Sequence, residues 1–347
     1  LMATVAITGA TGHVGSNLVR KLVARGDTVR ALTRNPDPKE LRGLSVERVA
    51  GDVASGEGLD ALLDGAELVF HLAAQISIVG PMNGLVQRVN VEGARQVAAA
   101  ARRAKVRRMI HCCSVHVFEP EPFHQPTDEA RPRVRRGEAP AYDVSKAEGE
   151  AVVREAVAEG LDAVIVHPSG VMGPYDFKPS RMGHVLLKLY RRRLPALLSG
   201  GFDWVDARDV STGMLAAAER GRTGESYLLT GHYRTVAQVG DVAQSITGVP
   251  RPRLVCPKWV AEIGAPFMDL AAWAMKGGEP LYTSESLMPL ELRMAYDRRK
   301  AARELGYEPR PFEETVRDSY AWMLAQGVIE PKTDVARALR DVAVSPA

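Results

Sequence analysis

Cysteine is scarce in this chain. The three present, Cys112, Cys113 and Cys256, form no disulfide framework and no metal-ligand spacing. Neighbours on a strand point to opposite faces, so Cys112 and Cys113 are poor partners for each other. Inert packing in a reducing compartment, with no metal, is the expectation. Long uncharged apolar runs are also missing. The best candidate, Trp259–Met275, carries Glu262 and Asp269. It reads as an amphipathic helix or helix pair over a pocket, with a membrane-surface anchor as the alternative. Charge of one sign is missing too: 45 Lys and Arg face 42 Asp and Glu, a net +3. The basic clusters at Arg102-Arg103, Arg107-Arg108, Arg131 to Arg136 and Arg191–Arg193 then read as solvated helix ends and loops, and a nucleic-acid partner is excluded. A strand and a glycine-rich turn begin at once, with no leader pattern, so a cytoplasmic location is expected.

What is present is alternation. Apolar, β-branched runs occur at Thr4–Thr8, Thr28–Thr33, Val46–Val49, Glu67–Leu72, Arg107–Cys112 and Asp162–His167. Helical patterns lie between them at Val14–Ala24, Gly58–Leu63, Gly84–Lys105 and Tyr142–Glu159. Continuous apolar strands alternating with amphipathic helices imply an α/β fold, with a parallel sheet covered on both faces. Right-handed crossovers make it doubly wound. Residues 1–173 are expected to form this nucleotide-binding domain, with 202–248 returning to it through a strand at Glu225–Thr230 and a helix at Val236–Thr247. Residues 174–201 and 249–330 are expected to form a smaller, mostly helical lobe ending in a helix at Phe312–Gln326. Residues 331–347 read as a loosely attached tail.

The first strand runs into Thr8-Gly9-Ala10-Thr11-Gly12-His13-Val14-Gly15 and then a helix. In that context the glycines have separate tasks: Gly9 for the tight turn, Gly12 for backbone approach to a pyrophosphate, Gly15 for close helix–strand packing. Free N–H groups at the helix start favour an anion. This is the phosphate turn of a Rossmann-type domain, and Gly9, Thr11, Gly12, His13, Val14 and Gly15 are its candidate cofactor residues. An acidic residue at the end of the second strand would select NAD. Here that strand ends Thr33-Arg34. A guanidinium grips a 2′-phosphate in a bidentate way, so NADP is expected over NAD.

These motifs together resemble the extended short-chain dehydrogenase/reductase family, part of the NAD-dependent epimerase/dehydratase superfamily, from Thr4 to about Trp322. Gly51-Asp52-Val53 resembles the family's adenine-contacting segment. His71-Leu72-Ala73-Ala74 resembles the loop under the nicotinamide ribose. Asn90-Val91-Glu92-Gly93 resembles the start of a central helix. Tyr142-Asp143-Val144-Ser145-Lys146 matches Y-x-x-x-K. His167-Pro168-Ser169-Gly170-Val171 resembles the loop beside the nicotinamide, with His in place of Arg. The run Thr33-Arg34-Asn35-Pro36 and the ending Leu305-Gly306-Tyr307 suggest the dihydroflavonol-reductase-like and 3β-hydroxysteroid-dehydrogenase-like branch. The resemblance implies cofactor roles for Asp52, Val53, Leu72, Ala73, Ala74, Tyr142, Lys146, His167, Pro168, Ser169, Gly170 and Val171. It also implies a possible homodimer through the helices at Gly84–Lys105 and Tyr142–Glu159.

Tyr142 and Lys146 stand four apart on one helix and share a face. An ordinary phenol titrates near pKa ~10, too high for proton shuttling at neutral pH, and a nearby ammonium would lower it. Ser114, at the carboxyl end of the fifth strand, is placed where open α/β sheets bind ligands. Ser114, Tyr142 and Lys146 are therefore the catalytic candidates. Asn90 is a supporting candidate or a plain helix cap. His116 is a candidate substrate contact or a structural histidine. Gln75, Met172 and Tyr175 join Ser114, His116 and Tyr142 as substrate candidates, in a pocket walled by residues 75–79, 172–182, Trp204 and 259–275. Reduction of a hydrophobic ketone or aldehyde, or oxidation of the matching alcohol, is the expected activity. A nucleotide-sugar epimerase or dehydratase holding NAD is the alternative, with Arg181 or Arg191–Arg193 reading a diphosphate. A non-catalytic cofactor sensor is the third reading, disfavoured by the Tyr–Lys pair.

Overall fold

The structure, a computed structural model, describes residues 3–78, 80–122, 124–256 and 295–345. Its twelve described strands are β1 (Thr4–Thr8), β2 (Thr28–Thr33), β3 (Val46–Ala50), β4 (Leu68–His71), β5 (Arg108–Cys112), β6 (Ala163–Pro168), β7 (Gly170–Met172), β8 (Leu197–Leu198), β9 (Gly201–Asp206), β10 (Ser226–Leu229), β11 (His232–Thr235) and β12 (Val255–Cys256). Seven of them form one sheet, in the order β10-β6-β5-β4-β1-β2-β3. Every pairing in it is parallel. Order reverses between β1 and β4, which opens a crevice at the strands' carboxyl ends.

Alternate residues serve opposite faces. Ala6, Val69, Met109 and Ile165 pack one face with the helices Gly93–Arg103 and Ala141–Ala158. Val5, Ile7, Phe70, Ile110 and Val164 pack the other with the helices His13–Arg25 and Ala207–Arg220. Both faces are covered, and for that reason the strands read as unbroken apolar runs.

The helical pattern at 84–105 resolves into pieces. An α-turn at Leu85–Gln87 passes into a π-turn at Arg88–Glu92 and then the α-helix Gly93–Arg103. π-turns cluster at functional sites, and this one holds Asn90. The later half builds two small sheets, β11-β9-β7 and β12-β8, and a third core. Tyr190, Trp204, Phe312 and Tyr320 centre that core. Met172 is buried within it.

The tail departs from expectation. Residues 334–339 form a helix capped by the Thr333 side chain, which accepts from the Ala336 amide. Ala336 and Leu339 are buried in the third core. Further on, the Tyr175 hydroxyl donates to the Val344 carbonyl. The segment is docked because its short apolar face meets the Val236–Thr247 helix, a contact no local pattern announces. The Trp259–Met275 stretch and Val79 lie outside the described residues.

The segment Trp204–Asp209 serves structure. Arg208, 1% exposed, reaches Asp206 at 2.7 Å and Asp318 at 2.7 Å. This triad joins β9 and its helix to the helix Phe312–Ala325. Arg208→Ala removes the cation that two buried carboxylates share, leaving Asp206 with Arg310 at 3.7 Å and Asp318 with Arg317 at 2.8 Å, so unfolding is expected about 1–3 kcal/mol more easily. A urea titration checks this: the midpoint falls with the slope unchanged.

Candidate functional site

The phosphate turn is shaped by contact. Gly9 sits at φ +76, and a side chain there would meet the Ala73 amide at 2.6 Å. At Gly15 a side chain would meet the Gly9 carbonyl at 2.1 Å. Gly12 is the helix N-cap and makes no side-chain cap bond, so the first N–H groups of the helix are left without a capping side chain. Beneath the turn, Thr8 Oγ1 and His71 Nδ1 lie 2.7 Å apart and tie β1 to β4. Burial, aided by the Lys146 charge, lowers the His71 pKa to about 3, so the ring is neutral.

A cleft of about 240 Å³ runs from this turn to the end of β2. Of the sequence candidates, Gly9, Thr11, Gly12, Arg34, Asp52, Val53, Leu72, Ala73 and Ala74 line it together. Gln75, expected on the substrate side, lines it as well. Arg34 is 80% exposed, with Asp52 at 3.9 Å. His13, Val14 and Gly15 do not line the cleft among its described walls. The His13 ring instead braces the Pro174 carbonyl at 3.0 Å. These residues fit a dinucleotide: a turn too tight for side chains, helix amides without a capping side chain, and a cation at the far end.

Two strand-end residues meet the helix Ala141–Ala158. The Lys146 ammonium donates to the Cys112 carbonyl at 2.8 Å. The Tyr142 phenol lies close enough to the Ser114 hydroxyl for that group to draw its pKa down. Residues i and i+4 of the helix thus reach residues i and i+2 of the strand end. The expected downward pull of Lys146 on the phenol is not what governs it. Burial pushes the Tyr142 pKa up, Cys113 and Asp143 add to this, and the Ser114 hydroxyl only opposes them. The phenol is protonated at neutral pH.

Asn90 has no spare capacity. Its Oδ1 accepts from the Gln75 amide at 2.7 Å, and its Nδ2 donates to the Gln75 carbonyl at 3.0 Å and Ser145 Oγ at 2.8 Å. It positions the loop after β4 against the Tyr–Lys helix.

A second cavity, of about 180 Å³, is lined by Val115, His116 and Asp143, the chain neighbours of Ser114 and Tyr142, while those two residues are not among its described walls. Its walls are mostly apolar, with Val115, Phe118, Met182 and Phe202 among them. His116, Asp143, Ser169, Gly170 and Asp203 also line it. Ser169 donates to Asp203 at 2.5 Å. Asp143 and Asp203 carry no motif, and only the fold brings them here. His116 stands edge-on to Tyr142, centroids 6.3 Å apart, and its Nδ1 is 3.5 Å from Asp143. Burial disfavours its charged form, but the Asp143 hydrogen bond and charge outweigh this and raise the pKa.

Four pocket-wall, substrate or cofactor candidates lie elsewhere. Met172 and Trp204 are third-core residues. Tyr175 packs on Trp322 and bonds the tail. His167 is fully buried, with Nε2 at 2.9 Å from Glu150 Oε2, so its ring faces away from the cleft. A strand-end position fixes the sheet edge, and the alternation of side chains sent this ring to the far face. Cys113, Glu150 and His167 cluster closely. Arg133 and Arg154 also bind that carboxylate, each at 2.8 Å, and fill the space a cation would need.

Residues 5–230 match the family model described as the NAD dependent epimerase/dehydratase family. The chain belongs to that family, within the extended short-chain dehydrogenases/reductases. It is similar to sterol demethylase protein B of Methylococcus capsulatus, 37% identical over 94% of this chain and 100% of that one. It is similar also to a Synechocystis protein provisionally named dihydroflavonol 4-reductase, 33% identical over 93% and 95%. Among solved structures it is similar to gox2253, with TM-score 0.81 and 31% identity over 95% of this chain and 100% of that one. Among the described residues, no helix is long and apolar enough to cross a membrane.

Because its folded pKa is raised, His116 stabilises the fold fully below its ordinary value of 6.5 and loses that contribution as pH rises through the folded value. Asp143→Asn is expected to bring the His116 titration down. Imidazole NMR against pH reads it, and an unchanged midpoint would contradict the pairing.

Proposed function

We propose that this enzyme reduces the carbonyl of a hydrophobic small molecule, or oxidises the matching alcohol, with NADP as the hydride carrier. The observation that carries the reading is Tyr142, kept protonated by burial and close to Ser114, with their chain neighbours Val115, His116 and Asp143 lining a mostly apolar cavity. A carbonyl oxygen seated between the two hydroxyls would accept a hydrogen bond from Ser114 and the proton from Tyr142. Gly9–Gly12, Arg34 and Leu72–Ala74 would hold the cofactor, which would supply the hydride when bound. Lys146 is oriented by the Cys112 carbonyl toward the same strand end. Asn90 positions the loop and the helix.

Two features weigh for this over a nucleotide-sugar epimerase. Described side chains lining the cavity include Glu138, Asp143 and Asp203 and no lysine or arginine, a poor seat for a diphosphate. Arg191 is engaged with the Val328 carbonyl. The name of the Methylococcus relative points to a sterol, an apolar substrate class consistent with the cavity.

Titration with NADPH and NADH, followed by nicotinamide fluorescence, tests the cofactor. NADPH is expected to bind more tightly, and Arg34→Ala to remove most of that preference. Tightly retained NAD without NADPH preference would favour the epimerase. With a ketone panel, Tyr142→Phe is expected to lower kcat by about 10²–10⁴ and to leave NADPH affinity unchanged.

A further inference from the structure

The loop after β7 carries a cation that no motif marks. Lys178 lines the same cleft as Gly9, Thr11, Gly12 and Arg34. Its side chain is 70% exposed, and its ammonium lies 3.2 Å from Glu40, whose side chain is 3% exposed. Glu40 is therefore a buried carboxylate behind the cleft, and Lys178 is the long arm that reaches it from the mouth.

That arm starts from a fixed base. The Pro174 carbonyl accepts from Asn17 Nδ2 at 3.1 Å, and the Tyr175 carbonyl accepts from Ser16 Oγ at 3.0 Å. The Arg20 guanidinium stacks on Tyr175 at 4.5 Å and on Phe177 at 5.1 Å. Ser16, Asn17 and Arg20 lie in the first turns of the helix whose amino end has no capping side chain. The loop is thus bolted to the helix that follows the glycine turn, and its Lys178 lines the cleft together with Gly9, Thr11 and Gly12. The other lining cation, Arg34, stands at the β2 end beside Asp52. Helix amides and an ammonium on opposite sides of one anion make a two-sided grip.

We infer that Lys178 is a pyrophosphate clamp: it leaves Glu40 to contact the diphosphate of the bound dinucleotide, separately from any contact of Arg34 with a 2′-phosphate. This rests on the cleft being the dinucleotide site, as proposed above. The chemical class it takes is an adenosine diphosphate moiety.

Calorimetric titration with ADP and with adenosine tests it on the full chain and on Lys178→Gln and Glu40→Gln. ADP has no 2′-phosphate, so an effect on ADP belongs to the diphosphate. Lys178→Gln is expected to weaken ADP by about tenfold and leave adenosine unchanged. Glu40→Gln is expected to keep or tighten ADP binding, because it frees the ammonium. ADP affinity within about twofold of the parent in Lys178→Gln would overturn the clamp. So would equal losses for ADP and adenosine, or a loss in Glu40→Gln matching that in Lys178→Gln, since either makes the pair a structural brace. Failure of the folded parent chain to bind ADP would overturn the dinucleotide reading together with the clamp. ADP binding indifferent to Lys178 would overturn the clamp alone.

Discussion

Glu150 is the constraint on which the Tyr–Lys helix depends. It is 1% exposed, and burial alone would raise its carboxyl pKa. Hydrogen bonds from His167 and Arg133 reverse this and hold it well below the usual carboxylate range. Burial keeps His167 below its own ordinary value, so it meets the carboxylate as a neutral N–H donor. One side chain thereby joins β6, the segment before the helix, and Arg154 one turn on. Glu150 is four residues past Lys146, so Tyr142, Lys146 and Glu150 follow one helical stripe. The far end of that stripe is anchored in the protein, and its near end is presented to the strand edge. A second close fit acts across the helix pair: a side chain at Gly149 would meet the Asn90 carbonyl at 2.4 Å. The π-turn and the Tyr–Lys helix are in backbone contact, and Asn90 reaches Ser145 because of it.

The legible parts of this protein are those written in contiguous residues. The parallel sheet is visible as apolar runs because both of its faces are covered. The cleft is visible because its glycines, Asp52-Val53 and Leu72–Ala74 sit at strand ends in short motifs. What sequence could not place depends on which way a residue faces or on distant partners. His167 stands at the right edge of the sheet and points to its other face. Tyr175 and Met172 belong to the right loop, but one serves the tail and the other the third core. Lys178, Asp143 and Asp203 have no local signal, since their neighbours in space come from other elements. The Tyr142 phenol shows the same limit in electrostatics. Spacing suggests that Lys146 governs it, whereas geometry sends the ammonium to Cys112 and leaves burial in control.

The two cavities divide the work by their surroundings. One is polar and shaped by backbone, with cations at its ends. The other is mostly apolar and carries acidic groups near its polar corner. Their described walls share no residue: one is lined from the ends of β1, β2 and β4, the other from the segments after β5 and β6. Mixed environments of this kind let a charged cofactor and an uncharged substrate approach one another without sharing solvent.

The way β10 enters the sheet has a consequence for modularity. The strand comes from the second half of the chain, after β7 and β9 have built a separate small sheet, yet it pairs with β6 along Ile165–Pro168. A boundary drawn near residue 173 is a boundary in motif content only. A polypeptide ending there would present β6 as a naked edge, open to pairing with other chains. Duplication, swapping or recombination of the amino-terminal half as a free-standing cassette is therefore disfavoured by hydrogen-bond geometry, and the two halves are bound to evolve as one piece.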